Sequence, residues 1–298
     1  MKLIYKIKKE DTYVNVLGVL KCEFKISERL LLKLKRNNLI FLNDNPVFPN
    51  ANLNFNDEIS VIINFEEDNS NIVATKVDLD IIYEDDGYLV INKPSGIPVH
   101  PSMDHYTDSL SNGLKYYFDT INLKRKIRPV NRLDKDTSGL VIFAKNEYIQ
   151  ECLVRQMKNH TFTKEYIAVC DGIFEEKQGT INAPIARKEN SIIERCIDET
   201  GDISITHYEV LYENLENNYS VVKCLLETGR THQIRVHMKY INHPLLGDTL
   251  YHTSSPFINR QALHSYKISF IHPILKTTQE YIAPLPKDIE NLYKVKEK

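Results

Sequence analysis

Long apolar runs are missing from this 298-residue chain. No stretch approaches the roughly 20 consecutive apolar residues that cross a bilayer, so no membrane partner is expected. Paired cysteines are missing too. The five present (Cys22, Cys152, Cys170, Cys196 and Cys224) are odd in number, widely spaced and form no CxxC. That pattern argues against a disulfide framework and against a zinc site, and predicts reduced, buried thiols in a cytoplasmic protein. The first residues, MKLIYKIKKEDTY, lack the apolar core and small-residue cleavage site of a signal peptide. An excess of positive charge is also absent. Lysine and arginine total 38 against 40 acidic residues, a net charge of −2, so any nucleic-acid contact must come from local patches. Arginine is the scarce cation, 11 against 27 lysines. Its planar fork binds carboxylate or phosphate bidentately, so where it does occur it carries information.

What remains is the composition of an ordinary globular protein, 42% hydrophobic and 26% charged, long enough for one sizeable domain and a small one. Residues 1–70 read as the small one. Tyr13–Leu20 looks strand-like, and Ser27 can cap a helix running to about Asn38. Leu30, Leu31 and Leu34 give that helix an apolar face, and Arg29, Lys33 and Arg36 a basic stripe. A hairpin through Asn43-Asp44-Asn45 and a closing strand over Asp57–Ile63 follow. The polar run Glu66–Asn71 reads as a linker, and residues 76–298 as a second domain. It opens with a hairpin (Leu79–Tyr83, Tyr88–Asn92) and a stiff proline-rich loop, Asn92–Ser102, in which Asn92, Lys93 and His100 are candidates to line a site. Helical spacing over Ser109–Phe118 and Asn146–Lys158, with strands at Thr163–Cys170, His207–Tyr212 and Tyr219–Glu227, predicts an α+β class and a mostly antiparallel sheet. Lys124, Arg125, Lys126 and Arg128 form a basic run, either a phosphate contact or a solvated face.

The densest stretch is Arg128–Lys145, RPVNRLDKDTSGLVIFAK. Alternation over Val130–Asp134 puts Arg132 and Asp134 on one face and Leu133 on the other. A polar turn, Asp136-Thr137-Ser138-Gly139, leads into Leu140–Ala144, an unbroken apolar run suited to a buried strand. A carboxylate is thus set at the mouth of a core strand with a guanidinium beside it. The second dense stretch is Thr228–Met238, TGRTHQIRVHM, followed by His243-Pro244-Leu245-Leu246-Gly247-Asp248. Thr231 can cap a helix beginning at His232, which would put Arg235 in its first turn. A metal reading of the histidines fails on spacing, because His232 and His237 are five apart, about 140° round a helix axis.

These stretches resemble the RluA family of pseudouridine synthases. That family carries an HRLD-(K/R)-(D/E)-TSG motif followed by an apolar run ending in Ala-Lys, here with Asn131 in place of the usual histidine. The resemblance extends to Asn92–Ser102, to Lys164-Glu165-Tyr166, to Thr228–Met238, and to Gly201–Val210, Gly247–Tyr251 and Ala262-Leu263-His264, so it covers the chain from residue 79 onward. Residues 1–70 resemble the alpha-L RNA-binding module of a small-subunit ribosomal protein, with Ser27-Glu28-Arg29 where a serine-arginine pair is usual.

The resemblance implies a pseudouridine synthase fold with a central cleft, and an isomerase acting on uridines of rRNA or tRNA, not DNA. It implies no cofactor, because substrate and product are isomers, and no metal. Asp134 would be the nucleophile. Arg235 would pair with it and keep it charged. Tyr166 would stack on the uracil and help remove the C5 proton. Arg132 would fill the space of the everted nucleotide, whose extraction costs a few kcal/mol, with Asn131, Lys164, Arg230 and His232 as further substrate contacts. Two other readings compete. Asp134-Lys135-Asp136-Thr137 is superficially similar to the DxDxT loop of aspartyl phosphotransferases, but that loop follows an apolar strand and here the run comes after it. A non-catalytic RNA binder would have no use for Asp134, Tyr166 and Arg235 together. The sequence does not indicate an oligomeric state.

Overall fold

The computed structural model describes residues 1–293. Its first elements are β1 (Lys2–Lys6), α1 (Val16–Cys22), α2 (Glu28–Arg36), β2 (Ile40–Leu42), β3 (Asn45–Pro46) and β4 (Glu58–Ile62), with the strands in a four-stranded sheet of order β1-β4-β2-β3. The strand expected over Tyr13–Leu20 is instead helix α1. Val16, Val19 and Leu20 fall at helical spacing and are fully buried, while the Asn15 side chain accepts from the Gly18 N–H as N-cap. Helix α2 is capped by Ser27 as expected and buries Leu30, Leu31 and Leu34. Asn43 and Asp44 both take positive φ, the geometry of a tight two-residue hairpin turn.

The larger sheet is built from β5 (Ile81–Glu84), β6 (Tyr88–Lys93), β7 (Arg128–Pro129), β8 (Ser138–Ala144), β9 (Thr163–Asp171), β10 (Gln178–Asn182), β13 (Ile205–Asn214), β14 (Tyr219–Leu226), β15 (Leu263–Ile271) and β16 (Thr278–Ile282). Eight of its strands run in the order β10-β13-β14-β9-β15-β8-β6-β5, with β16 added to β15 and β7 to β8. A separate hairpin is made by β11 (Ile185–Arg187) and β12 (Arg195–Ile197). The helices are α3 (Leu110–Thr120), α4 (Glu147–Lys158), α5 (Gln233–Tyr240) and α6 (Lys287–Tyr293). The class is α+β with a mixed, mostly antiparallel sheet, as the sequence predicts. Only β15 with β8 is parallel among the described pairings of this sheet.

The unbroken apolar run of β8 is explained by burial on both faces. Leu140, Ile142 and Ala144 join one core together with Tyr88 and Val90, and Val141 and Phe143 join the other with Leu89 and Ile91. The first of these cores continues through Tyr148, Ile149 and Leu153 of α4 into the N-terminal sheet. Charge reinforces the junction. Glu67 accepts bidentately from Arg128 (2.6 and 2.8 Å) and also pairs with Lys33, which reaches Glu147 as well. Burial opposes the Glu67 charge, but Arg128 and then Lys33 outweigh it and bring its pKa to about 2. The basic run is therefore largely spent internally, since Lys124 pairs with Glu66 and Arg125 binds Phe65 O and Asn64. Of the thiols, Cys170 and Cys224 are buried, whereas Cys22 at the outer end of α1 is exposed.

Candidate active site

After β7 the chain leaves the sheet, and Val130–Asp134 is not the regular strand expected. Val130 N–H still bonds Ile142 O (2.7 Å), but at the next residue a side chain takes over the pairing. Asn131 donates to Leu140 O (3.0 Å) and accepts from Ile142 N–H (2.9 Å). Both ends of its amide are thus engaged by β8, and it is 8% exposed. Asn131 also lines the cleft onto which Asp134 opens, alongside this pairing. Asn131 holds the segment at the departure point that aims Asp134. Leu133 turns into the core and Arg132 out to solvent, as alternation predicts.

The turn that follows is gripped from behind by two buried basic side chains. Lys93, fully buried, donates to the carbonyls of Pro94, Ile97 and Lys135 at 2.7–2.8 Å. Arg260 donates to Asp136 O (2.9 Å) and forks onto Asp288 (2.7 and 3.0 Å). Gly139 then passes so close to β15, with φ of 107°, that a Cβ there would lie 2.2 Å from Ser265 O. Only glycine fits.

Opposite this turn, α5 brings Arg235. The helix begins one residue later than expected, at Gln233. His232 precedes it in a left-handed conformation (φ 59°, ψ 19°), and Thr231 is not the cap. Gln233 organises the junction instead. Its Oε1 accepts from Arg230 N–H (3.0 Å) and Thr228 Oγ1 (2.8 Å), and its Nε2 donates to Ile205 O (2.9 Å). The Arg235 guanidinium donates from Nε and Nη2 to Asp248 (2.7 Å each) and from Nη1 to Asp134 Oδ2 (3.0 Å). Burial disfavours its charge, but Asp248 and then Asp134 more than compensate, and its pKa rises above the ordinary value. The Tyr251 ring lies 5.0 Å from the guanidinium carbon. His232 Nε2 faces the same Asp134 oxygen at 3.7 Å, and its pKa is lowered by burial, with Asp134 opposing that shift. Oδ2 is therefore held, and among the described residues no partner for Oδ1 is found.

Asp134 opens onto a cleft of about 860 Å³ whose lining includes Asn131, Arg132, Lys164, Tyr166, Arg230 and His100. Tyr166 is 6% exposed and burial raises its pKa, so its hydroxyl stays protonated at neutral pH. Lys164 is drawn down to about 8 by burial. Arg230 contacts Ile203 O and Asp202, while no ion pair of Arg132 is found among the described residues. His100 bonds Ser111, and its pKa is lowered by burial and by Arg132. Asn92 and Lys93 line a different cavity behind the turn. His237 is buried against Thr206 and Ala183 O, facing away from His232's partners. Asp134 and Arg235 were legible in the sequence, whereas Asp248, Tyr251 and Arg260 carried no role there. Only the Gly247–Tyr251 match pointed towards the first two.

Residues 87–240 match the family model described as RNA pseudouridylate synthase. The chain is 37% identical over 275 residues to the uncharacterized RNA pseudouridine synthase YhcT of Bacillus subtilis (strain 168), covering 92% of this chain and 91% of that one. It is 38% identical over 269 residues to the ribosomal large subunit pseudouridine synthase D of Neisseria meningitidis serogroup B (strain ATCC BAA-335 / MC58), covering 86% and 71%. Human RNA Pseudouridylate Synthase Domain Containing 1 superposes with a TM-score of 0.58 at 28% identity, over 70% of this chain and 84% of the human one. The chain belongs to the RluA family of RNA pseudouridine synthases.

Proposed function

We propose that this enzyme isomerises particular uridines of rRNA or tRNA with Asp134 as the nucleophile. The reaction breaks the N1–C1′ bond, joins C5 to C1′, and moves one proton from C5 to N1, so it consumes no cofactor. Asp134 Oδ1 attacks C1′ and releases the uracil, which turns until C5 faces C1′. Closure of the new bond frees the carboxylate, and loss of the C5 proton restores the aromatic base. Tyr166 stacks on the uracil, an interaction worth roughly 1–3 kcal/mol, comparable to the few kcal/mol needed to evert the base. Because its hydroxyl is protonated, its part in proton removal is to relay the C5 proton through hydrogen bonds while staying neutral overall. Arg132, exposed at the cleft rim, stacks where the everted nucleotide stood, and Lys164 and Arg230 contact the RNA backbone.

The observation that carries this reading is the Asp248–Arg235–Asp134 chain. It fixes one carboxylate oxygen at 3.0 Å and leaves the other free in the cleft. Asp248, by contrast, is fully buried and is held through both oxygens by Arg235. We also propose that residues 1–70 form an RNA-binding module whose exposed Arg29 and Arg36 contact phosphates. The test is to map pseudouridines in total RNA with the enzyme present, absent, or replaced by Asp134→Asn. One or more sites should appear only with the unaltered enzyme. An identical map in all three would refute the assignment.

A further inference from the structure

Two residues beside the nucleophile are arranged more exactingly than substrate contact requires. His232 sits in the left-handed region, uncommon for a residue with a Cβ and found where surrounding structure enforces it. Its Nδ1 lies 2.9 Å from the Tyr251 hydroxyl. That hydroxyl in turn lies 2.8 Å from the backbone N–H of Arg195, in β12. An N–H can only donate, so the Tyr251 oxygen accepts from Arg195, and its own proton remains to be placed. The acceptor within reach is His232 Nδ1. Were Nδ1 protonated, the phenolic proton would have no partner among the described residues. Burial is the main cause holding Tyr251 up at about 12, so the proton is there to give. Burial likewise lowers the His232 pKa, keeping the ring neutral. In a neutral ring one nitrogen accepts and the other donates.

We infer that Arg195 and Tyr251 lock the tautomer of His232, so that its Nε2–H is the group presented to Asp134 Oδ2, 3.7 Å away. The inference rests on the reading of Asp134 as nucleophile. At 3.7 Å the contact is longer than a hydrogen bond. Its effect is electrostatic: a fixed N–H dipole, together with Arg235, marks Oδ2 as the held oxygen and directs attack through Oδ1. The opposite tautomer would aim a lone pair at the carboxylate. His232 is thus a positioning residue, and Tyr251 has two separable parts: a ring packed on Arg235 and a hydroxyl that sets the histidine.

The test reads the tautomer directly. Long-range ¹H–¹⁵N correlation of the full-length enzyme with ¹⁵N-histidine at neutral pH should show His232 protonated at Nε2 and not at Nδ1. His232→Asn, which tolerates the left-handed backbone, assigns the signals by their loss. Tyr251→Phe keeps the ring and removes the hydroxyl. It should release the lock, shifting the signals towards a tautomer mixture, and lower kcat roughly tenfold with KM for RNA within about twofold, since the effect lies on the transition state. An Nδ1–H tautomer in the unaltered enzyme would overturn the inference, as would Tyr251→Phe with an unchanged tautomer or an unchanged kcat. An Nε2–H tautomer combined with full activity of Asp134→Asn would leave the lock standing and remove the nucleophile assignment.

Discussion

Asp134 is useful because its two oxygens differ. Oδ2 is committed to Arg235, itself fixed by both oxygens of Asp248, and Oδ1 is open to the cleft. The buried His264 lies behind the same turn, where its Nδ1 accepts from Ser138 at 2.9 Å. Burial is the main cause that draws its pKa down to about 4. The folded ring is therefore neutral, whereas the unfolded chain takes up a proton near pH 6.5. Between those values the unfolded state binds more protons, so this contribution to stability is complete above about pH 6.5 and is lost as pH falls towards 4, a difference of about 3 kcal/mol. Denaturant titrations at pH 7 and pH 4.5 should show that loss in the unaltered protein and a distinctly smaller one in His264→Asn. Equal losses in both would assign the pH dependence to other groups.

Among the elements, the turn between Asp134 and Gly139 sets where Asp134 stands, and its Lys135 and Asp136 carbonyls are met from behind by Lys93 and Arg260. Lys93→Met keeps the volume but leaves the carbonyls of Pro94 and Ile97 without a donor and Lys135 O with the Gly96 N–H alone. It should destabilise the protein by about 1–3 kcal/mol and slow turnover more than it weakens RNA binding, which thermal melts and single-turnover kinetics would check. Unchanged stability would show that the loop repacks freely. How much of this was legible in the sequence follows from the range of each interaction. β8 announced itself because a strand buried on both faces must be apolar at every residue, and α2 because a serine cap precedes its leucine face. α1 was hidden, because Val16, Val19 and Leu20 satisfy a strand pattern as readily as a helical one until Asn15 is recognised as a cap. Thr231 was a reasonable cap by type, yet α5 carries no side-chain cap, and Gln233 instead ties the preceding turn to Thr228 and Ile205 O. Asp248 follows Arg235 by 13 positions through a loop, and no local periodicity links them. Arg260 and Lys93 look like surface cations until the fold buries them.

At the scale of the whole molecule, α4 is a wall with two sides. Glu147, Glu151 and Arg155, four residues apart, face the N-terminal segment, where they meet Lys33, Ser27 and Lys25 O. Val154, Met157 and Lys158 line the cleft. The N-terminal sheet and helices are therefore packed against the helix that lines the cleft, with Lys33 spent on that junction and Arg29 and Arg36 exposed. Replacing both arginines with glutamate should raise the Kd for RNA several-fold and lower the slope of log Kd against log salt by roughly 2, with kcat at saturating RNA unchanged. Titrations at several salt concentrations would read this, and an unaltered slope would exclude a phosphate contact there. The central claim, that a carboxylate held by Arg235 attacks the everted uridine, is tested most directly by single-turnover tritium release from RNA labelled at uridine C5, comparing the unaltered enzyme with Asp134→Asn at matched RNA occupancy. The account predicts release that falls by at least about 10³-fold, roughly 4 kcal/mol of barrier, with RNA affinity within a few-fold. Release at a comparable rate from the amide variant would contradict it.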